Sequence, residues 1–157
     1  MTQTFKYNNI IYKWKPLKVL FLAEMPYDSK KNYTAPLMGT EAYKRFLQWV
    51  FEIHLDLNTT YLLAPNNVID LPWIPDHIFF LGERAKKAFL KNKTNFFILS
   101  EDGDYRLFGD ANFILQNITS SILAHPSTKN RSFNIPGYES QLLENIKEYL
   151  YGKPDIF

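Results

Sequence analysis

Between His125 and Arg131 the chain places an imidazole, a proline, two hydroxyls, an amide and two cations in seven residues: His125-Pro126-Ser127-Thr128-Lys129-Asn130-Arg131. An imidazole titrates near neutral pH and can donate a hydrogen bond to an oxygen that is gaining negative charge. Proline fixes the turn, and a serine hydroxyl can bind a phosphate oxygen. Lys129 and Arg131 add positive charge to the same loop. An ordinary solvated basic turn would use the same residues.

A second loop, Glu24-Met25-Pro26-Tyr27-Asp28 through Tyr33 to Pro36, holds two carboxylates, two lysines and two tyrosines. A carboxylate here could orient a water, and Tyr27 or Tyr33 could stack on a nucleobase, a contact worth about 1–3 kcal/mol per base. The tyrosines could equally cover a sheet edge. Gly82, followed by Glu83-Arg84-Ala85-Lys86-Lys87, could offer backbone amides to an anion, although a tight strand-to-helix turn needs the same glycine. His54 and His77 read as structural, His54 on the apolar face of a helix and His77 at the start of a strand. No His, Asp and Glu spacing makes a metal site, and no metal or organic cofactor is expected.

These loops need a scaffold, and the hydrophobic pattern supplies one. Short apolar runs predict strands at Lys18–Ala23, Thr59–Ala64, His77–Gly82, Asn95–Ser100 and Ser120–Ala124. Between them lie helical stripes. Tyr43, Phe46, Leu47, Val50, Phe51 and His54 form one, and Leu81, Ala85, Ala88 and Phe89 another. Leu142, Leu143, Ile146, Tyr149 and Leu150 form the last, after the Pro136-Gly137 break. The acidic segment Glu101–Asp110 reads as a loop or hairpin. The stretch Asn67–His77 reads as a connector anchored by Leu71 and Trp73. Strands alternating with helices predict an α/β fold, a three-layer α/β/α sandwich with a central, mainly parallel sheet of four to five strands. Residues 1–157 are expected to form one domain. In such sheets ligands bind outside the carboxyl ends of the strands, where both loops emerge.

Composition narrows the function classes. Hydrophobic residues are 46% of the 157, enough for a core, and aromatic residues are 17%. The 18 basic and 16 acidic residues leave a net charge of +2, too little to imply nucleic-acid binding without a local patch. The absence of cysteine excludes disulfides, thiolate catalysis and cysteine-held metal clusters. The N-terminal residues lack the apolar core of a signal peptide, and no apolar run reaches the roughly 18 residues of a membrane helix. A cytoplasmic monomer without membrane contact is the expectation.

Two motifs then coincide. Ala23-Glu24-Met25-Pro26-Tyr27, with Pro36 ten residues after Pro26 and Gly39 beyond it, resembles the first motif of the uracil-DNA glycosylase superfamily. Its single-domain members carry a strand, then Gly-Glu-Ala-Pro-Gly, then Pro-Phe-x-Gly. His125-Pro126-Ser127 resembles that superfamily's closing His-Pro-Ser loop. Between them, Ile78-Phe79-Phe80-Leu81-Gly82 and its alanine-containing helix are similar to the central strand and Leu-Gly turn. The resemblance covers roughly Lys18 to Leu150.

It implies an enzyme that flips a modified base out of DNA and hydrolyses its N-glycosidic bond. By motif position, His125 would stabilise the leaving base. Ser127 would grip a flanking phosphate, and Thr128, Lys129, Asn130 and Arg131 would enter the minor groove. Glu24, Met25, Tyr27 and Tyr33 would line the base pocket. Met25 occupies the position of the classical catalytic acid, so Asp28 first and Glu41 second are candidates to activate water. Leu37 replaces the stacking phenylalanine, and Tyr33 could substitute. The target would be uracil or another modified base. A member of the same fold that binds nucleic acid or a nucleotide without cleaving it is the alternative.

Overall fold

Val19, Leu20, Phe21 and Leu22 are all buried. A strand loses both faces to packing only in the interior of a covered sheet, and β3 (Val19–Leu22) lies there. It is flanked in parallel by β4 (Thr60–Leu63) and by β6 (His77–Leu81), itself buried at all five positions. Parallel to β6 runs β9 (Thr119–Leu123). The four-stranded order β4-β3-β6-β9 gives the α/β class, with the parallel central sheet that the apolar runs predict. The fold is that of a computed structural model, which describes residues 3–7, 10–14, 17–24, 36–37, 40–127 and 130–151, with backbone alone for the first two stretches.

Contacts divide the chain into two compact units, one of residues 18–40 and 57–125, the other of residues 1–17, 41–56 and 126–157. The first unit contains the parallel sheet. It also contains a second sheet of three strands, in which β7 (Asn95–Leu99) pairs in parallel with β5 (Val68–Leu71) and antiparallel with β8 (Tyr105–Asp110). The Asn95–Ser100 run is thus a strand, but of this second sheet. The acidic segment supplies the turn and the second strand, β8, of the hairpin that β7 begins. The expected connector holds β5, with Leu71 buried and the Trp73 ring tilted against Tyr61, centroids 5.0 Å apart.

Helices α2 (Glu83–Lys91) and α3 (Ala111–Asn117) complete this unit. Its core joins Leu20, Leu22, Ile78 and Phe80 of the parallel sheet to Ile69, Leu71 and Phe96 of the second sheet, and to Ala85, Phe89 and Ile114 of the helices. Phe89 meets Phe80 and Phe96 edge-on, at 5.4 and 6.1 Å between ring centroids. Asp110 caps α3 by accepting a hydrogen bond from the Phe113 amide at 2.9 Å.

His77 is 2% exposed, at the amino end of β6. Its Nδ1 lies 2.7 Å from Thr119 Oγ1 and its Nε2 3.1 Å from Ser121 Oγ, across the strand pair. The Thr119 hydroxyl donates to the Asp76 carbonyl at 3.2 Å. It therefore accepts from His77, which places the ring proton on Nδ1 and leaves Nε2 to accept from Ser121. Burial pushes the His77 pKa down to about 4, so the ring is neutral. Its structural role follows the sequence reading.

The second unit has an antiparallel pair, β1 (Gln3–Tyr7) with β2 (Ile10–Trp14), and the helices α1 (Glu41–Glu52) and α4 (Tyr138–Tyr151). On α1 the buried residues are Ala42, Phe46, Trp49 and Val50, while Leu47 and Phe51 are exposed. His54 is not on the apolar face. It is exposed beyond the end of α1, in the left-handed region at φ 58, a position that ends the helix. The Tyr151 hydroxyl satisfies that helix end, donating to the carbonyl of Ile53 at 2.8 Å and placed 3.2 Å from that of His54. Leu143, Ile146, Lys147 and Tyr151 are the buried positions of α4, with Tyr149 turned outward. Burial lowers the Lys147 pKa to about 8, opposed by the carboxylates of Glu52 and Glu144. No helix of the described residues is long and apolar enough to cross a membrane.

Candidate functional site at the carboxyl edge of the parallel sheet

The strand order of the parallel sheet reverses direction once. From β3 the chain goes to β4 on one side, then to β6 and β9 on the other. The order thus reverses between β3 and β6, and the carboxyl edge at such a reversal is where open α/β sheets bind ligands. The ladder runs one residue past the strand ends, with Ala23 N donating to Leu63 O at 3.0 Å and Gly82 N donating to Leu123 O at 2.9 Å. Beyond these bonds stand Glu24, Gly82 and His125.

Gly82 has φ 97 and ψ 157, a conformation that is essentially glycine's alone. It lets β6 turn at once into α2. A Cβ added there would lie 3.6 Å from His125 Cβ and 3.9 Å from His125 Cδ2. The imidazole is thus packed beside the glycine at the start of α2. The Leu-Gly turn and the His-Pro-Ser loop, 43 residues apart in sequence, meet here.

His125 is half-buried. Burial lowers its pKa from the ordinary histidine value, and the carboxylate of Glu24 partly opposes that shift. A neutral imidazole at neutral pH has one N–H to donate and one lone pair to accept with. Glu24 is exposed and electrostatically coupled to His125. This edge of the sheet thus brings together a glycine turn, a neutral imidazole and a carboxylate.

The remaining candidates divide by where they fall. Met25, Tyr27, Asp28 and Tyr33 lie outside the described residues, as do Thr128 and Lys129. Leu37 is buried at 3% exposure with φ 63, in a turn closed by a hydrogen bond from Thr40 Oγ1 to its carbonyl at 2.6 Å. Glu41 opens α1, is exposed, and pairs with Lys44 at 3.1 Å.

Within the second unit, the loop after Pro126 is held by residues the sequence reading did not select. Arg45 Nη1 donates to the Ser127 carbonyl at 3.4 Å, and its Nε lies 3.4 Å from Glu139 Oε2. Its guanidinium sits 4.3 Å from the centroid of the Phe133 ring. Trp49 Nε1 donates to the other Glu139 oxygen at 3.2 Å. Asn130 accepts a hydrogen bond from Ser132 N at 3.1 Å, capping the short helical turn Arg131–Asn134. The Asn130 side-chain oxygen thus shapes the loop, while Arg131 is exposed. The available signal was a helix position: Arg45 lies one residue before buried Phe46 and four before buried Trp49.

No protein-family model matches the chain, and neither does any curated protein sequence. The glycosylase resemblance therefore stands on its motifs. No group of His, Asp and Glu among the described residues is arranged to hold a metal ion.

Proposed function

We propose that the chain is a DNA glycosylase-like hydrolase that excises uracil or another modified base. The observation that carries the reading is the meeting of His125 with Gly82, in electrostatic reach of Glu24, at the carboxyl edge of the parallel sheet. In the proposed reaction a water oxygen bonds to C1′ of the flipped nucleotide as the N-glycosidic bond breaks, its electron pair leaving with the base. Neutral His125 donates a hydrogen bond to the base oxygen on which charge collects. Asp28, with Glu41 as second candidate, would take the proton of the attacking water. Ser127 and the loop through Arg131 would engage the flanking phosphates, with Tyr27 and Tyr33 against the base. DNA is the partner in this reading.

The test is base release from oligonucleotides carrying one uracil, hypoxanthine, xanthine or modified pyrimidine, followed by alkaline cleavage of the abasic site. Release of at least one base, lowered at least 100-fold by His125→Ala, is expected. An intact panel under enzyme excess overturns the hydrolase reading. A second reading, binding without cleavage, has its own support in Met25 at the position of the acid and in Glu41 engaged by Lys44. It predicts salt-dependent binding with no base released.

A further inference from the structure

The sequence between Glu83 and Lys93 holds five of the chain's 18 basic residues, Arg84, Lys86, Lys87, Lys91 and Lys93, against the single acid Glu83. In the first unit the only other basic side chain from residue 57 onward is Arg106, which is paired with Asp102. Its acids gather elsewhere, with Glu101, Asp102 and Asp104 in the β7–β8 hairpin. The modest net charge of the chain thus conceals a segregated cationic helix.

Arg84, Lys87 and Lys91 recur at i, i+3 and i+7, so they form one stripe along α2, and all three are exposed. No carboxylate among the described residues forms an ion pair with any of them, and Glu83 does not pair with Lys87 four residues on. The stripe spans about 10 Å of helix axis, or about three nucleotide steps along one strand. It begins at the end of α2 that adjoins Gly82 and His125.

We propose that this face of α2 is a docking track for a nucleic-acid phosphate backbone, leading to the His125 edge. The charge pattern selects that partner. A bilayer surface would need apolar side chains beside the cations, and Ala85 and Phe89 are buried, leaving Leu90 as the exposed apolar residue of the helix. Phosphates along a strand match a regular row of point charges. The track rests on the nucleic-acid reading above and is independent of whether any base is cleaved.

The experiment measures binding of the full chain to a fluorescent oligonucleotide without modified bases, by anisotropy, across a salt series. The variants are R84Q/K87Q/K91Q and a K44Q/R106Q control that removes two acid-paired cations. The wild-type chain should bind in a salt-dependent manner. The triple variant should flatten the slope of log K against log salt by about 2 to 3, near 0.9 per lost phosphate contact. The control should keep the wild-type slope. Unchanged circular dichroism certifies the triple variant's fold, as expected for exposed substitutions. An unchanged slope in the triple variant overturns the track. So does binding to anionic vesicles or polyglutamate that is stronger than to the oligonucleotide. Salt-dependent binding by a wild-type chain that releases no base from the modified oligonucleotides would defeat the hydrolase reading and leave the track standing.

Discussion

Lowering the pH from 7 to 4.5 should cost the fold about 2–3 kcal/mol through His77 alone. The ring is 2% exposed, and both its nitrogens are engaged by hydroxyls, Thr119 accepting from Nδ1 and Ser121 donating to Nε2. A proton on Nε2 would face the Ser121 hydroxyl and would have to be buried as a charge. Burial holds the folded pKa at about 4, against about 6.5 in the unfolded chain. The depressed value means that the unfolded state takes up the proton first. The contribution is therefore fully present above about pH 6.5 and is lost as pH falls from there toward 4, at up to about 1.4 kcal/mol per unit. The assay is urea unfolding followed by circular dichroism, at half-unit steps from pH 7.5 to 4.5, for the wild type and His77→Gln. Glutamine does not titrate here. The variant should be weaker at pH 7 by about 1–2 kcal/mol, having lost hydrogen-bond geometry. Its stability should then fall less steeply, so that the two curves meet between about pH 6 and 5 and the variant is no weaker than the wild type at pH 4.5. Carboxylates contribute equally to both proteins and cancel in the difference. Parallel curves over the whole range would refute the assignment of a neutral, doubly engaged His77.

Gly82→Ala forces a side chain into a backbone region reserved for glycine, so it should lower stability by about 1–3 kcal/mol, measured by the same urea titration. It should also perturb the His125 imidazole resonances in NMR. Tyr151→Phe removes the hydroxyl that serves the end of α1 and should cost about 1–2 kcal/mol, with faster amide exchange expected in the last turn of that helix. Arg45→Ala should raise exchange at the amides of Asn130 and Ser132 and leave the α2 amides unchanged. Phe51→Gln removes an apolar ring that is 80% exposed and should change stability by less than about 0.5 kcal/mol. If base release is found, its rate should be maintained at neutral pH and fall on acidification only below the ordinary histidine pKa, because burial favours the neutral ring of His125.

The parallel strands were legible because burial on both faces leaves unbroken apolar runs, as in Val19–Leu22 and His77–Leu81. The same signal marked Asn95–Leu99 as a strand but could not say which sheet it joins, since an apolar run carries no information about its neighbour. Val68–Leu71 was hidden because it alternates exposed and buried positions over four residues, just before Pro72. On α1 two offset stripes both satisfy helical spacing. Both contain Phe46 and Val50, but the sequence stripe adds Leu47, Phe51 and His54, whereas packing chose Ala42 and Trp49. At the site, the sequence pointed to both strand ends, and Gly82 and His125 meet there. The loop's supports were not legible. Arg45 and Glu139 lie 94 positions apart, and only tertiary packing unites them around Phe133 and Ser127.

The second unit is assembled from three separated stretches of chain, residues 1–17, 41–56 and 126–157. Its closing contacts span long sequence distances, 90 residues from Trp49 to Glu139 and 98 from Ile53 to Tyr151. During synthesis on the ribosome, every strand of the parallel sheet is available once Leu123 has emerged. Until α4 follows, α1 lacks the tyrosine that serves its final carbonyls and the glutamate that accepts from Trp49. Long-range closure is slow and leaves apolar surface exposed while it waits. A nascent chain stalled when His125 has just emerged from the ribosome, with α4 still inside, should therefore display a protease-resistant sheet alongside an α1 segment that proteases still cut.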